Sequence, residues 1–148
     1  MANPSFGDSI LALSSAAETT AEFKYIDLEP PDTLGRDQFP AFIVHTEHDY
    51  EDTQAIDHEF TLYDGYWTFQ IALLFDYHDI KERFDIPVTE MTRIRNKFLL
   101  QLKTDVTPPG FEMTSLRTYQ SFIGEVKIRV MPFVLRRHMR EDYESSTI

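Results

Sequence analysis

The 148-residue chain has no cysteine, only five glycines and no long apolar run. Without cysteine it can form no disulfide and no thiolate metal site. None of the glycines belongs to a G-x-x-x-x-G-K-[ST] or G-x-G-x-x-G phosphate loop, and the hydrolase pattern G-x-S-x-G does not occur. A transmembrane helix needs about 20 mainly apolar residues, so we expect no membrane span. The first 18 residues lack the basic start of a signal peptide, so we expect none.

Positive charge is scarce in the first part of the chain. Residues 1–90 carry 19 acidic and four basic residues, whereas residues 91–148 carry six acidic and ten basic residues. The net charge is −11. Because non-specific binding to nucleic acids depends on Lys and Arg contacting phosphates, we expect no tight nucleic-acid binding. Two parts of opposite charge are typical of a protein that associates with a charged partner or with another copy of itself.

The apolar periodicity predicts an α+β fold, in which two helices pack on a largely antiparallel sheet in the order α-β-β-β-α-β-β. We expect a single domain over residues 1–138 and a flexible C-terminal tail over residues 139–148. The predicted helices cover residues 8–20 and 87–103. The predicted strands lie within residues 21–31, 39–51, 65–77, 113–122 and 124–137.

One strand pattern is clearer than the others. Residues 65–77 carry apolar side chains at successive odd positions, which predicts a strand with one buried face. These residues are Trp67, Phe69, Ile71, Leu73, Phe75 and Tyr77. Residues 52–65 are predicted to form a long hairpin loop that ends at the turn signal Asp64-Gly65. Pro132 is predicted to place the last strand at an edge or at a bulge.

Residues 45–60, HTEHDYEDTQAIDHEF, hold three histidines and six carboxylates, which raises the question of a metal site. A metal ion needs two or three ligands held on one face by rigid elements. His45 and His48 are three residues apart, so on the predicted strand their side chains point to opposite faces. Their spacing matches no zinc motif. We therefore favour an acidic, solvated loop over a metal site.

An acid–base pair is the other chemical interpretation of the histidines. His45 shares a strand face with Glu47, and His78 follows the aromatic strand close to Asp76. General acid–base catalysis needs a positioned pair with tuned pKa values, whereas polar residues at strand ends meet this pattern by chance. The sequence therefore predicts neither an enzyme nor a cofactor.

The layout of the chain resembles that of the tail-terminator (tail-completion) proteins of long-tailed bacteriophages. The likeness covers about residues 8–138 and rests on the FPAFIV strand within QFPAFIVHTE, followed by an aromatic strand, an amphipathic helix and a final hairpin. It implies a structural virion protein, found in host cytoplasm during assembly. It further implies a hexameric ring that caps the tail tube, stops its polymerisation and joins the head–tail connector, with a channel that passes DNA.

Charged residues of the two parts are our candidates for contacts between subunits or with tail and connector partners. The candidate bases are Arg129, Arg136, Arg137 and Arg140. The candidate acids are Glu47, Asp49, Glu51, Asp52, Asp57 and Glu59. Exposed ion pairs within one subunit add less than about 1 kcal/mol to stability. Reversing the charge of Arg136 and Arg137 is therefore expected to weaken assembly and to leave folding nearly unchanged.

Two alternatives remain open. The chain could be another head–tail connector (neck) protein of the same assembly. It could also be a small cone-shaped α+β enzyme of the nuclear-transport-factor type, with an aromatic pocket and a His/Asp acid–base pair. That fold resembles this chain in length and aromatic content, but it opens with more helix than residues 1–40 predict.

We expect no functional metal at His45, His48 and His58, because the strand geometry separates the first two. Calorimetric titration with zinc, manganese and nickel checks this prediction. Micromolar one-to-one binding that is lost in the His45→Ala variant would show that this stretch is a metal site.

Overall fold

The structure is a computed structural model that describes residues 6–27, 31–45, 54–55, 62–76, 86–106 and 110–142. In these ranges it contains two helices and seven strands in the order α-β-β-β-β-α-β-β-β. The helices are α1 (Phe6–Thr20) and α2 (Ile86–Asp105). The strands are β1 (Tyr25–Asp27), β2 (Ala41–His45), β3 (Gln54–Ala55), β4 (Leu62–Asp76), β5 (Phe111–Ser115), β6 (Tyr119–Ile123) and β7 (Val126–Asp142). The predicted α+β class, with two helices on a largely antiparallel sheet, is confirmed.

A long antiparallel pair forms the centre of the sheet. Strands β4 and β7 pair without interruption from Leu62 opposite Asp142 to Asp76 opposite Ile128. On one side β2 pairs with β4, and β1 adds to β2 as the single parallel neighbour in the described part of the chain. On the other side β5 and β6 both pair with β7. The strand order is therefore β1-β2-β4-β7-β5, with β6 also lying beside β7.

The alternation of side chains buries both faces of this sheet. The odd positions of β4 from Trp67 to Phe75 face the helices and are buried, as predicted. They pack against apolar residues of the helices and of β7: Leu13, Met91, Ile94, Phe98, Leu102, Met131, Phe133 and Leu135. The expectation of only one buried face was wrong. On the helix-free face, Leu34 and Phe39 cover a second cluster made of Ala41, Ile43, Leu74, Ile128 and Val130.

The predicted turn at Asp64-Gly65 is wrong, because both residues lie inside β4. Asp64 pairs with Arg140, and Gly65 pairs with Met139. Strand β4 therefore begins at Leu62, and the two-residue strand β3 pairs with its first part. Residues 46–53 and 56–61, the rest of the predicted loop and strand end, lie outside the described residues.

The C-terminal part has three strands where two were predicted, and the reason is Pro132. Strand β7 is paired on both sides, so Pro132 lies in an interior strand rather than at an edge. The Pro132 carbonyl accepts a hydrogen bond of 3.2 Å from the Leu116 amide, so the backbone of Pro132 faces β5 and β6. Because proline has no N–H to donate, pairing is interrupted there. The partner strand is split into β5 and β6, with residues 116–118 between them.

The end of the domain also differs from the prediction. Residues 139–142, expected to begin a flexible tail, continue β7 and pair with residues 62–65. The remaining residues of the predicted tail, 143–148, lie outside the described residues.

A cluster of charged residues joins the end of α1 to α2. Glu22 forms ion pairs of 3.1 Å with Arg93 and with Lys97. Arg93 also forms an ion pair with Glu90, one turn earlier in α2. The hydrogen bond from Arg93 lowers the pKa of Glu22 below its ordinary value, against the opposing effect of burial and with a further contribution from Lys97.

The Glu22→Gln variant should unfold more easily at neutral pH, by up to about 1 kcal/mol. The folded-state pKa of Glu22 is lowered, so its stabilisation is present above the ordinary carboxyl pKa and is lost as pH falls through the lowered folded value. The difference between wild type and variant should therefore shrink as pH falls from 7 to well below roughly 4.3, the ordinary Glu pKa. Denaturant unfolding across this range is the measurement, with Glu18→Gln as the matched control. A difference that does not change with pH would contradict this assignment.

Candidate interaction surface

The two adjacent arginines of β7 lie on opposite faces of the sheet. Arg137 is only 4% exposed and lies on the helix side. It donates a hydrogen bond of 3.1 Å to the Ser9 Oγ in the first turn of α1, and its guanidinium lies 5.1 Å from the centre of the Phe111 ring. Burial lowers the pKa of Arg137, and the negative charge of Asp8 opposes this shift. Arg137 therefore anchors α1 to β7 inside the subunit, which corrects its predicted role as a surface contact.

Arg136 lies on the helix-free face in an aromatic setting. Its guanidinium is 4.0 Å from the centre of the Tyr66 ring. The Tyr66 ring in turn meets the His138 ring edge to face, with 5.7 Å between the ring centres. Arg136 and Tyr66 are half-buried, whereas His138 is exposed. This group presents a cation and two polar rings at the end of the sheet where β4 begins.

The other candidate contact residues are not brought together within the described chain. Arg129 is half-buried in β7, between Phe75 of β4 and Gln120 of β6. The backbone of Arg140 belongs to β7, and its side chain lies outside the described residues. All six candidate acids lie wholly outside the described residues: Glu47, Asp49, Glu51, Asp52, Asp57 and Glu59. Contact between these bases and acids stays a prediction.

The residues considered for a metal or acid–base site are mostly outside the described ranges. His48, His58 and His78 lie outside them, and of His45 only the backbone at the end of β2 is described. Asp76 is buried at the end of β4. In the described part of the chain, no group of three His, Cys, Asp or Glu residues is placed to hold a metal ion. Neither described helix combines the length and apolar character needed to cross a bilayer.

Sequence patterns did not identify the exposed apolar side chains of β5, β6 and the break between them. Among the described residues, six large apolar side chains are exposed: Leu11, Leu100, Met113, Leu116, Tyr119 and Phe122. Four of the six lie within residues 113–122, where pairing with β7 places Met113 and Phe122 on the helix side of the sheet and Tyr119 on the other face. A signal was present in the sequence, since YQSFI of β6 has no charged residue. This absence of charge became informative only because the structure places β6 as an outermost strand in the described chain.

A groove lies between the end of α2 and β5, on the helix side of the sheet. It has a volume of about 590 Å³ and is lined mainly by apolar side chains. Met113 belongs both to the groove and to the exposed set, and Lys103 adds a positive charge. Apolar surface is therefore continuous between this groove and Met113.

A scan against models of known protein families finds no match to this chain, and a search of curated proteins also finds none. The resemblance to tail-terminator proteins, based on element order and the FPAFIV stretch, therefore stays a prediction. The function has to be inferred from the residues of this chain.

The two arginines make a matched pair for a stability test. Arg137→Glu removes the hydrogen bond to Ser9 and buries a carboxylate near Asp8. We expect a loss of about 3–5 kcal/mol of unfolding free energy, as for a broken buried charge interaction. Arg136→Glu should cost less, about 0.5–1 kcal/mol for the lost contact with Tyr66. Thermal unfolding followed by circular dichroism measures both. Equal shifts of the two midpoints would contradict the opposite placement of these side chains.

Proposed function

We propose that this protein is a structural subunit of the tail-terminator kind, which forms a ring with copies of itself on the end of a phage tail tube. The observation that carries the proposal is the division of charge between the first and the last segments of the described chain. The described ranges 6–27 and 31–45 carry six acids and two bases. Residues 110–138 carry two acids and five bases, and all of these bases except the buried Arg137 remain candidates for contacts with another chain.

This division supports a contact that joins two different patches of the same chain. In such a heterologous contact, the acidic side of one copy meets the basic side of the next, and the set closes into a ring if the rotation allows. Complementary charge also speeds encounter and discriminates against wrong orientations. Strand β1, with the exposed Asp27, and the break after β5, with the exposed Arg117, lie at opposite ends of the strand order.

The overall charge supports a ring around a DNA channel. Carboxylates repel phosphates, so a subunit with a net charge of −11 passes DNA without binding it tightly. One face of the ring contacts the tail tube protein, and the other is free for the head–tail connector. A neck protein other than a terminator would use the same charge pattern, so binding to the tube rather than to the connector is the discriminating property.

The test is the growth of purified tail-tube protein into tubes in the presence of this protein. We expect tubes to stop growing when the protein binds their ends, and we expect isolated protein to form a ring of six 17.4-kDa chains at high concentration. Electron microscopy measures tube length and light scattering measures mass. Binding should weaken as salt rises, because screening acts over about 8 Å at physiological ionic strength.

Two charge-reversal variants form a matched pair, in which one is the test and the other is its control. Arg117→Glu and Arg36→Glu change the net charge equally at exposed positions, the first in the basic segment 110–138 and the second in the acidic segment 31–45. Arg117→Glu should weaken assembly, whereas Arg36→Glu should not. Tubes of unchanged length with bare ends would contradict the proposal. Binding to connector rings alone would assign the protein to the neck instead.

A further inference from the structure

We infer that the groove between α2 and β5 is the site at which a second copy of this chain docks the outer face of its helix α1. The inference rests on the proposed function, because it names the two surfaces through which the ring forms. The outer face of α1 is defined here by Leu11, Ser15 and Glu18, which are exposed and lie three to four residues apart, so they share one side of the helix.

The groove is apolar, and two cations of α2 lie along it. Arg95, Leu99 and Lys103 follow one another at four-residue intervals, so they share one face of α2. This face is turned toward β5, because Leu99 and Lys103 line the groove and Arg95 donates a hydrogen bond of 3.2 Å to the Ser115 Oγ. Met113 of β5 also lines the groove and is exposed.

The two cations are not neutralised within the described part of the chain. Arg95 donates hydrogen bonds to neutral groups there, the Ser115 hydroxyl and the side-chain carbonyl of Asn96. Lys103 forms no ion pair with a described residue. The ion pairs that join α2 to the end of α1 involve Glu22 and lie on a different side of α2. The groove therefore combines apolar surface with positive charge that can interact with the carboxylates of another chain.

The outer face of α1 has the complementary character. Leu11 is 68% exposed on it. Helix α1 carries two acidic residues, Asp8 and Glu18, and no basic residue. Glu18 is exposed and forms no ion pair with a described residue. Ser15, which lies between Leu11 and Glu18, is small and allows close approach. The chain thus presents both an apolar, basic groove and an acidic helix with an exposed leucine, so a second copy supplies the partner.

The spacing along the two helices also matches. Leu11 and Glu18 are seven residues apart, and Arg95 lies seven residues before Leu102, which lines the groove. Seven residues are two helical turns, about 10.5 Å along either axis. When α1 of one copy lies antiparallel to α2 of the next, Leu11 enters the groove beside Leu102 and Glu18 reaches Arg95. The contact joins two different surfaces of the chain, so it is heterologous, as a ring needs.

Leu11→Glu tests the apolar part of this contact against a control of nearly equal exposure. Leu11 is 68% exposed on α1, and Leu100 is 65% exposed on α2, outside the groove. Each variant replaces an exposed leucine with a carboxylate. We expect self-association to weaken at least about tenfold in Leu11→Glu, and to stay within roughly twofold of wild type in Leu100→Glu. Sedimentation over a concentration series gives the dissociation constants, and circular dichroism confirms that each variant is folded.

A charge swap tests the pairing of Glu18 with Arg95. Glu18→Arg and Arg95→Glu each place like charges opposite one another, so each should weaken self-association by about tenfold. The double variant restores opposite charges at every contact of the ring, so its dissociation constant should return to within about threefold of wild type. Variants that act by unfolding, or by disturbing a site for some other protein, would not rescue one another.

The outcomes separate this inference from the proposed function. A wild-type protein that stays monomeric at the highest attainable concentration, equal weakening in the two leucine variants, or a charge swap without rescue would overturn the inference. A Met113→Glu variant that loses binding to tail tubes but self-associates like wild type would assign the groove to another protein and also overturn it.

If wild type self-associates through this contact but does not limit tube growth, the inference stands and the proposed function fails. If it limits tube growth, and Leu11→Glu and Glu18→Arg limit it equally well, the proposed function stands and the inference fails.

Discussion

The fold depends on the fifteen-residue pairing of β4 with β7, which holds one register from Leu62–Asp142 to Asp76–Ile128. Side chains alternate along both strands, so this register decides which residues face the helices and which face the segment that contains Leu34 and Phe39. A slip of one residue would reverse the faces of one strand relative to the other. It would also exchange the buried Arg137 with the half-buried Arg136.

The sequence predicted the elements whose patterns are local. The odd apolar positions of β4 and the helical spacing of α2 are read within one segment, and both are confirmed. The errors all involve partners distant in the chain. Asp64-Gly65 has the composition of a turn but continues as a strand because β7 extends far enough to pair with it. Pro132 predicted an edge strand, but it lies in an interior strand. The strand that pairs with it is the one that is interrupted, between β5 and β6.

For the candidate surface too, some features could be predicted from the sequence and others depend on partners distant in the chain. The charge division is visible in composition, and so is the basic end of β7. The placement of Arg137 could have been predicted, because it shares the odd positions of β7 with Phe133 and Leu135. The hydrogen bond from Arg137 to Ser9 could not have been predicted, because the two residues are 128 positions apart in the sequence. The exposure of Tyr119 and Phe122 was not predicted, because it depends on which strand is outermost.

The central claim is that copies of this chain join through two different surfaces, and cross-linking tests it most directly because the chain has no cysteine of its own. A variant with a single introduced cysteine can form a covalent dimer only between two copies. A short bis-maleimide is added to Leu11→Cys, to Met113→Cys and to a mixture of the two. The account predicts covalent dimers in the mixture, none from either variant alone, and none when Leu100→Cys replaces Leu11→Cys in the mixture. Monomers alone in the first mixture, or equal amounts of dimer in all samples, would contradict it.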